Sequence, residues 1–280
     1  MLALLKRNFL LYFRNRSGVF FSLLGALISF VLYIIFLQKN LTDAWAQLPN
    51  NGPLLNNWLM SGTLAVTGIT TSLAALTQLV KDREHQVDKD LYLSNHGKWR
   101  LPFSYLTSAI IISFFMQALM YVLMCGYFRE VPTLSLLPEV LLIMLLSSLL
   151  SSLVNAIFVY FFHSVDSLGK FSTIVGTASG FLVGTYVPLG VLPDFAQLLM
   201  KCTPATYIAA LYRQVLMKEA VSEAFKGRDD LLREFQEKMG VQLKWQALLT
   251  KEQTYLIVLG GILLALGIWI SLAKRSNKRK

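Results

Sequence analysis

The residues able to do covalent chemistry are few, and their spacing does not suit it. Three histidines occur, His85, His96 and His163, and two cysteines, Cys125 and Cys202. Glu84-His85 lacks the second histidine of H-E-x-x-H, so it implies no zinc site. No G-x-S-x-G elbow and no phosphate-cradling G-x-x-x-x-G-K-[ST] loop is present. No catalytic residue, no metal site and no cofactor of its own is expected. With C-x-x-C spacing absent, both cysteines read as free thiols in packing roles. Without a P-loop, energy for any uphill work must come from another subunit.

What remains is non-covalent chemistry of two kinds. The segment Lys81-Asp82-Arg83-Glu84-His85-Gln86-Val87-Asp88-Lys89-Asp90 alternates in sign and runs into Leu91, Tyr92 and Leu93. Such a stretch suits docking into a protein groove, and equally an ordinary solvated loop. The second kind is neutral and lies in apolar surroundings. Ser61, Gly62, Thr63, Thr67, Gly68, Thr70, Thr71 and Ser72 crowd one segment, and Ser148, Ser151, Ser152 and Asn155 share nearly one helical face of another. Gly176, Gly180 and Gly184 recur at four-residue spacing. Small residues let helices approach closely and hydroxyls bond across them. These faces serve packing within one subunit, a dimer seam or a gate. Thr67, Thr71, Ser151 and Asn155 are the candidates to line a pathway.

The elements that position these residues follow from composition. Of 280 residues 55% are hydrophobic and 15% charged, yet the net charge is +10. That excludes a disordered chain, and leaves too few charges to cover a soluble enzyme. Six stretches hold no ionisable Asp, Glu, Lys, Arg or His: Gly18–Leu37, Leu59–Val80, Leu101–Phe128, Val140–Phe162, Phe171–Pro193 and Tyr255–Ala273. Each has about the 20 residues that a helix needs to cross about 30 Å of hydrocarbon. The expected fold is an all-α membrane protein, one domain over 1–280 with six transmembrane helices. No charge sits mid-span, which counts against a proton- or sodium-driven carrier.

Lys and Arg between the spans set the orientation. With the N-terminus inside, the inner segments carry most of them and the short outer loops only Lys39 and Arg129. The loop 194–254 is too long to obey the positive-inside rule. Both termini are expected in the cytoplasm, in a cell-membrane protein. Basicity here reports orientation, so no nucleic-acid partner is implied.

Residues 1–17 put Leu2, Leu5, Phe9, Tyr12 and Phe13 at helical spacing, which predicts an amphipathic interfacial helix against anionic lipid. The apolar run after it is too long for a signal peptide. Pro49, Asn50, Asn51, Gly52 and Pro53 form a turn cluster between Trp45 and Trp58, which read as interfacial aromatics. Pro188, Pro193 and Pro204 break the fifth apolar segment near its outer end. Irregular backbone at membrane depth must be buried in protein or line a cavity, so a re-entrant element is expected there. Ala205–Ala220 and Asp229–Met239 read as helices of an extracellular cap.

At this point a resemblance emerges. Arg83-Glu84 after the second span, then Leu91-Tyr92-Leu93 and Trp99-Arg100, resemble the membrane subunits of ABC-2-type exporters. So do Val187-Pro188-Leu189 to Leu192-Pro193, Thr203-Pro204-Ala205-Thr206-Tyr207 and Leu211-Tyr212-Arg213. Lys6-Arg7-Asn8 through Tyr12 and Arg14 to Phe20-Phe21 is similar to the family's short drug-exporter branch. Two departures stand out: Gln86-Val87 replaces the family's Gly-Thr, and the fifth loop is longer than in many members. The resemblance implies that two permease chains form the pathway, and two copies of this one are expected. It also implies two separate ATPase chains that hold ATP and magnesium. Asp82, Arg83, Glu84, His85, Asp88 and Leu91 would then couple to the ATPase. Gly176, Gly180, Gly184, Pro188, Pro193 and Pro204 would form a packing seam or gate. The uncharged spans suit a hydrophobic or amphipathic substrate: a drug, toxin, lipid-like molecule or peptide. A stand-alone channel or carrier, and an integral membrane enzyme, are the rival readings.

Overall fold

Helix α4, Asn51–Glu84, is the axis of the assembly. At 1.5 Å per residue its 34 residues reach about 50 Å, well beyond the hydrocarbon thickness at both ends. Around it pack α2 (Arg16–Leu32), α6 (Gly97–Phe128), α7 (Leu137–Val159), α8 (Val165–Leu182) and α10 (Pro204–Leu216). α1 (Leu2–Arg14) lies on α6, and α13 (Lys251–Lys278) on α7 and α10. The computed structural model describes residues 1–48, 51–93, 97–129 and 134–278. Pro49, Asn50 and His96 lie outside the described residues, as do the side chains of Tyr92 and Leu93.

Among the described residues, five helices are long and apolar enough to cross a membrane: Arg16–Ala44, Asn51–Glu84, Trp99–Phe128, Leu137–Val159 and Lys251–Arg275. The first runs from α2 through a π-helical turn at Tyr33–Leu37 into α3 (Gln38–Ala44). Their packing is that of a protein whose solvent is hydrocarbon. Phe20, Val31, Phe115, Val122, Leu256 and Leu263 point outward, while Thr67, Gln117, Ser148 and Ser152 are buried. Some of the buried hydroxyls bond their own helix, as Thr67 Oγ1 does to Thr63 O and Ser148 Oγ to Met144 O, both at 2.8 Å. The chain is an all-α membrane protein.

α8 is the remaining long helix. Its first residue is tied to the end of α4 by the Val165 N–H donating to Glu84, and beyond its other end Thr185 stands against Gly62. It therefore runs the length of the bundle. Asp166 and Lys170 in its opening turns make it less apolar than the five. The expected span to Pro193 is corrected here, because the helix stops at Leu182. Gly184 takes φ +71°, a left-handed conformation that only glycine adopts readily. The Thr185 N–H then turns back to Gly180 O at 2.9 Å, and the Gly184 N–H to Phe181 O at 2.9 Å. This pattern closes a helix by satisfying its last carbonyls.

Beyond it come a 3-10 turn at Leu189–Val191, α9 (Asp194–Lys201) and α10. α10 corrects the expectation of an outer cap over Ala205–Ala220. Every residue from Thr206 to Arg213 is buried against the bundle, and the helix ends at Leu216. Pro204 starts it, where a missing N–H costs nothing. The cap consists of α11 (Lys218–Ala224) and α12 (Asp229–Lys238). Trp45 and Trp58 hold that cap rather than facing lipid: Trp58 Nε1 donates to Met239 O at 2.7 Å, and Trp45 meets Phe235 edge-on at 4.9 Å. α1 likewise differs from its expected stripe. It buries Leu4 and Asn8, while Leu2, Leu10, Leu11 and Phe13 are open.

Candidate functional site

The end of α4 gathers four helices on three consecutive residues. Asp82, buried, takes a two-pronged contact from Arg7 of α1, Nη1 to Oδ2 at 2.7 Å and Nη2 to Oδ1 at 2.9 Å. Gln78 Nε2 donates to the same carboxylate at 2.7 Å, and so does the Tyr105 hydroxyl of α6. The hydrogen bond to Asp82 raises the already high pKa of Arg7 and outweighs its partial burial, so the guanidinium stays charged. Arg83 points elsewhere. Its Nη1 donates to Phe162 O at 3.0 Å and Tyr160 O at 3.3 Å, carbonyls just past the end of α7. Glu84 Oε2 accepts from the Val165 N–H at 2.9 Å, at the start of α8. A carboxylate there suits the positive end of a helix.

The chain then turns sharply at Gln86, φ +59°, into α5 (Val87–Leu93). Asp88 is buried, and Leu91 packs half-buried against the cluster of Val80, Leu101 and Trp269. Glu84, His85, Gln86, Lys89 and Asp90 make the exposed side of the corner. Of the six residues expected to couple to a partner, Glu84 and His85 are thus open, Arg83 and Leu91 partly so, and Asp82 and Asp88 turn inward. Sequence reasoning missed Arg7, Gln78 and Tyr105. Only a carboxylate at the end of a span, which must find donors when buried, hinted at them.

A second hub lies deep between the helices. Gln117 of α6 donates to Ser148 Oγ of α7 at 2.8 Å and accepts from the Tyr212 hydroxyl of α10 at 2.9 Å. Ser113 Oγ donates to Gly68 O of α4 at 3.1 Å. Asn155 joins α7 to α4 through Ile69 O at 2.9 Å and Ser72 Oγ at 2.8 Å. Thr67 and Thr71 are fully buried here and border no cavity described below. Ser151 and Asn155 do border one.

On the open flank, α2, α4 and α8 enclose a groove of about 590 Å³. Phe21, Leu24 and Ile28 supply apolar surface, Thr70 and Thr77 line it from α4, and Thr173 and Thr177 from α8. No lining residue is charged. α2 approaches α8 at Gly25, where a Cβ would stand 3.2 Å from Gly176 O. The three glycines expected to act alike do not. Gly176 borders the groove, Gly180 lies under the Tyr186 ring, and Gly184 ends the helix. Pro188 is buried ahead of the 3-10 turn, Pro193 precedes α9 and Pro204 opens α10.

Beyond the groove, Arg213 of α10 is fully buried, with no carboxylate paired to it among the described residues. It donates to Val183 O and Gly240 O at 3.1 Å and Gly184 O at 2.8 Å, and stands 5.1 Å from the centre of the Trp58 ring. It fastens the turn after α8 to the cap.

Membrane-spanning helices with a hydrogen-bonded polar interior, an uncharged groove and a charged corner define a transport component of the membrane. Residues 1–217 match the family model described as ABC-2 type transporter, and the chain belongs to that family. No curated protein matches it.

Proposed function

We propose that this chain is the permease of an ATP-driven drug-type exporter, acting as two copies with two separate ATPase chains that bind ATP and magnesium. The observation that carries this is the groove. The exteriors of α2, α6 and α13 are apolar, whereas α8 turns Gly169, Thr173 and Thr177 outward. A small, hydroxylated face is poorly matched to lipid and well matched to another helix or a substrate. The groove volume falls in the range of about 300–1,000 Å³ usual for small-molecule sites. A second copy placed across it by a two-fold axis would close both grooves into one pathway. Aromatic and aliphatic walls with scattered hydroxyls suit a hydrophobic or amphipathic substrate moved out of the cell.

The exposed side of the corner at Glu84, His85, Gln86, Lys89 and Asp90 is the place for the ATPase to press. The corner, α1 and the start of α8 share one end of the bundle. Lys6, Arg14 and Arg16 are exposed at or near that end, which supports a cytoplasmic setting for it by the positive-inside rule. On this reading the substrate moves outward through the cell membrane. The test is co-purification followed by transport. A tagged chain should bring down an ATP-binding protein, and inside-out vesicles holding both should accumulate a hydrophobic dye only with ATP. Transport by the chain alone, indifferent to ATP, would overturn the proposal.

A further inference from the structure

α7 and α8 are consecutive and antiparallel, yet they barely pack on each other; each leans on α4 instead. They meet near their shared loop, where the Phe171 ring lies 5.5 Å from Phe158 and 5.1 Å from Phe162. From there they diverge and leave a cavity of about 410 Å³ on the flank of α8 away from the groove. Its walls are Leu150 and Val154 of α7 and Val175 and Ala178 of α8, with Ile69 of α4 behind. Cys202–Ala205 roof it. Ile174 and Phe158, at its mouth, are 65% and 46% exposed.

The lining decides the occupant. Water in a protein cavity needs two to four polar partners. Three of the polar side chains here are turned to the protein: Asn155 donates to Ile69 O and Ser72 Oγ, Ser179 Oγ to Gly176 O at 3.0 Å, and Thr203 Oγ1 to Leu199 O at 3.0 Å. The cavity sits between two helices, one of them a membrane span, and its lining offers no charge to a headgroup. The medium around a span is hydrocarbon chain. We propose that this gap is a lipid site, holding one acyl chain of a membrane lipid between α7 and α8. Since α8 borders the export groove on its other flank, the chain sets how far α8 can swing toward α7. The site stands independently of what the groove carries.

The experiment uses the full chain in vesicles of phosphatidylcholine bearing a mid-chain diazirine. After photolysis, adducts should fall on Val154, Val175 and Ala178 and saturate at one lipid per chain, while adducts on the α6 exterior at Phe115 and Val122 keep rising with probe. Ala178→Phe should fill the gap and abolish the first set without changing the second. Absence of cavity adducts in the wild-type chain would overturn the proposal without recourse to any variant. So would adducts that never saturate or that survive both Ala178→Phe and Ser151→Phe, which would mean ordinary boundary lipid. A Cys202–Cys202 disulfide formed in high yield between two copies would also overturn it, since a second chain would then cover the roof.

Discussion

Replacing Arg7 by Met should destabilise the protein more than replacing Asp82 by Asn, and the double replacement should do less harm than Arg7→Met alone. The asymmetry follows from burial: the Arg7 side chain is 30% exposed and that of Asp82 4%. Arg7→Met strands a buried carboxylate. Removing one partner of a buried pair costs about 3–5 kcal/mol, and the Tyr105 and Gln78 donors that remain hold the loss near the lower end, about 3 kcal/mol. Asp82→Asn leaves a guanidinium that water can reach, and an amide that still accepts from Gln78, so about 1–2 kcal/mol is expected. In the double variant no charge is left unpaired, and the cost stays at about 1–2 kcal/mol.

At about 2–4 °C of Tm per kcal/mol for a chain approaching this size, Arg7→Met should lower Tm by about 9 °C and the double variant by about 5 °C. The assay is thermal unfolding of the purified proteins in one detergent at one scan rate, since irreversible unfolding makes Tm depend on rate. Methionine keeps much of the apolar stem of arginine, so packing is preserved as far as possible. A double variant that loses the sum of the two single losses would refute the reasoning. It would mean that Arg7 and Asp82 contribute separately and that the carboxylate does not depend on α1.

Three further outcomes are expected. Glu84→Ala removes the acceptor for Val165 at the start of α8, which is worth about 1 kcal/mol; insertion and Tm should change little, while substrate-stimulated ATPase of the reconstituted complex falls severalfold. Arg213→Lys should lower Tm nearly as far as Arg213→Ala, because an ammonium cannot span the carbonyls of Val183, Gly184 and Gly240 as the planar fork does; each buried carbonyl left bare costs about 1–3 kcal/mol. Gly176→Leu, in open space, should leave Tm unchanged and block dye transport, whereas Gly180→Ala overlaps the Tyr186 ring and should lower Tm. Equal effects of the two glycine variants on both readouts would remove the groove from the transport path.

The spans were legible because hydrocarbon imposes a length and excludes charge, and both can be counted along a chain. The same counting failed at the fifth. Freedom from charge continues to Pro193, but the backbone is stopped by Gly184, a residue whose four-residue spacing after Gly180 invited the opposite reading. α10 was legible as a helix and not as an interior one. Amphipathic spacing records that one face is buried, and cannot say whether lipid, water or protein covers the other. The polar hubs were half legible. Hydroxyls and amides in apolar runs declare that partners exist, while Gln117 and Tyr212 are 95 positions apart and nothing local couples them.

The corner after α4 shows why the sequence marks a place better than a role. Asp82, Arg83 and Glu84 follow one another at about 100° per residue around a helix, so three neighbouring side chains must point three ways. One reaches α1 and α6, the next the end of α7, and the third the start of α8. A rigid helix end tied in three directions cannot yield to a push on one side only. On the proposed reading, a load applied at His85 would pass through Arg83 and Glu84 to α7 and α8 together, the two helices that border the gap between them and, in the case of α8, the groove as well. Cutting the tie to α8 alone, as Glu84→Ala does, should therefore uncouple the groove from the load while the ties to α1 and α7 keep the corner folded. Alternating charge reads as a docking strip; on the proposed reading, the separate directions of Asp82, Arg83 and Glu84 would make that strip a lever.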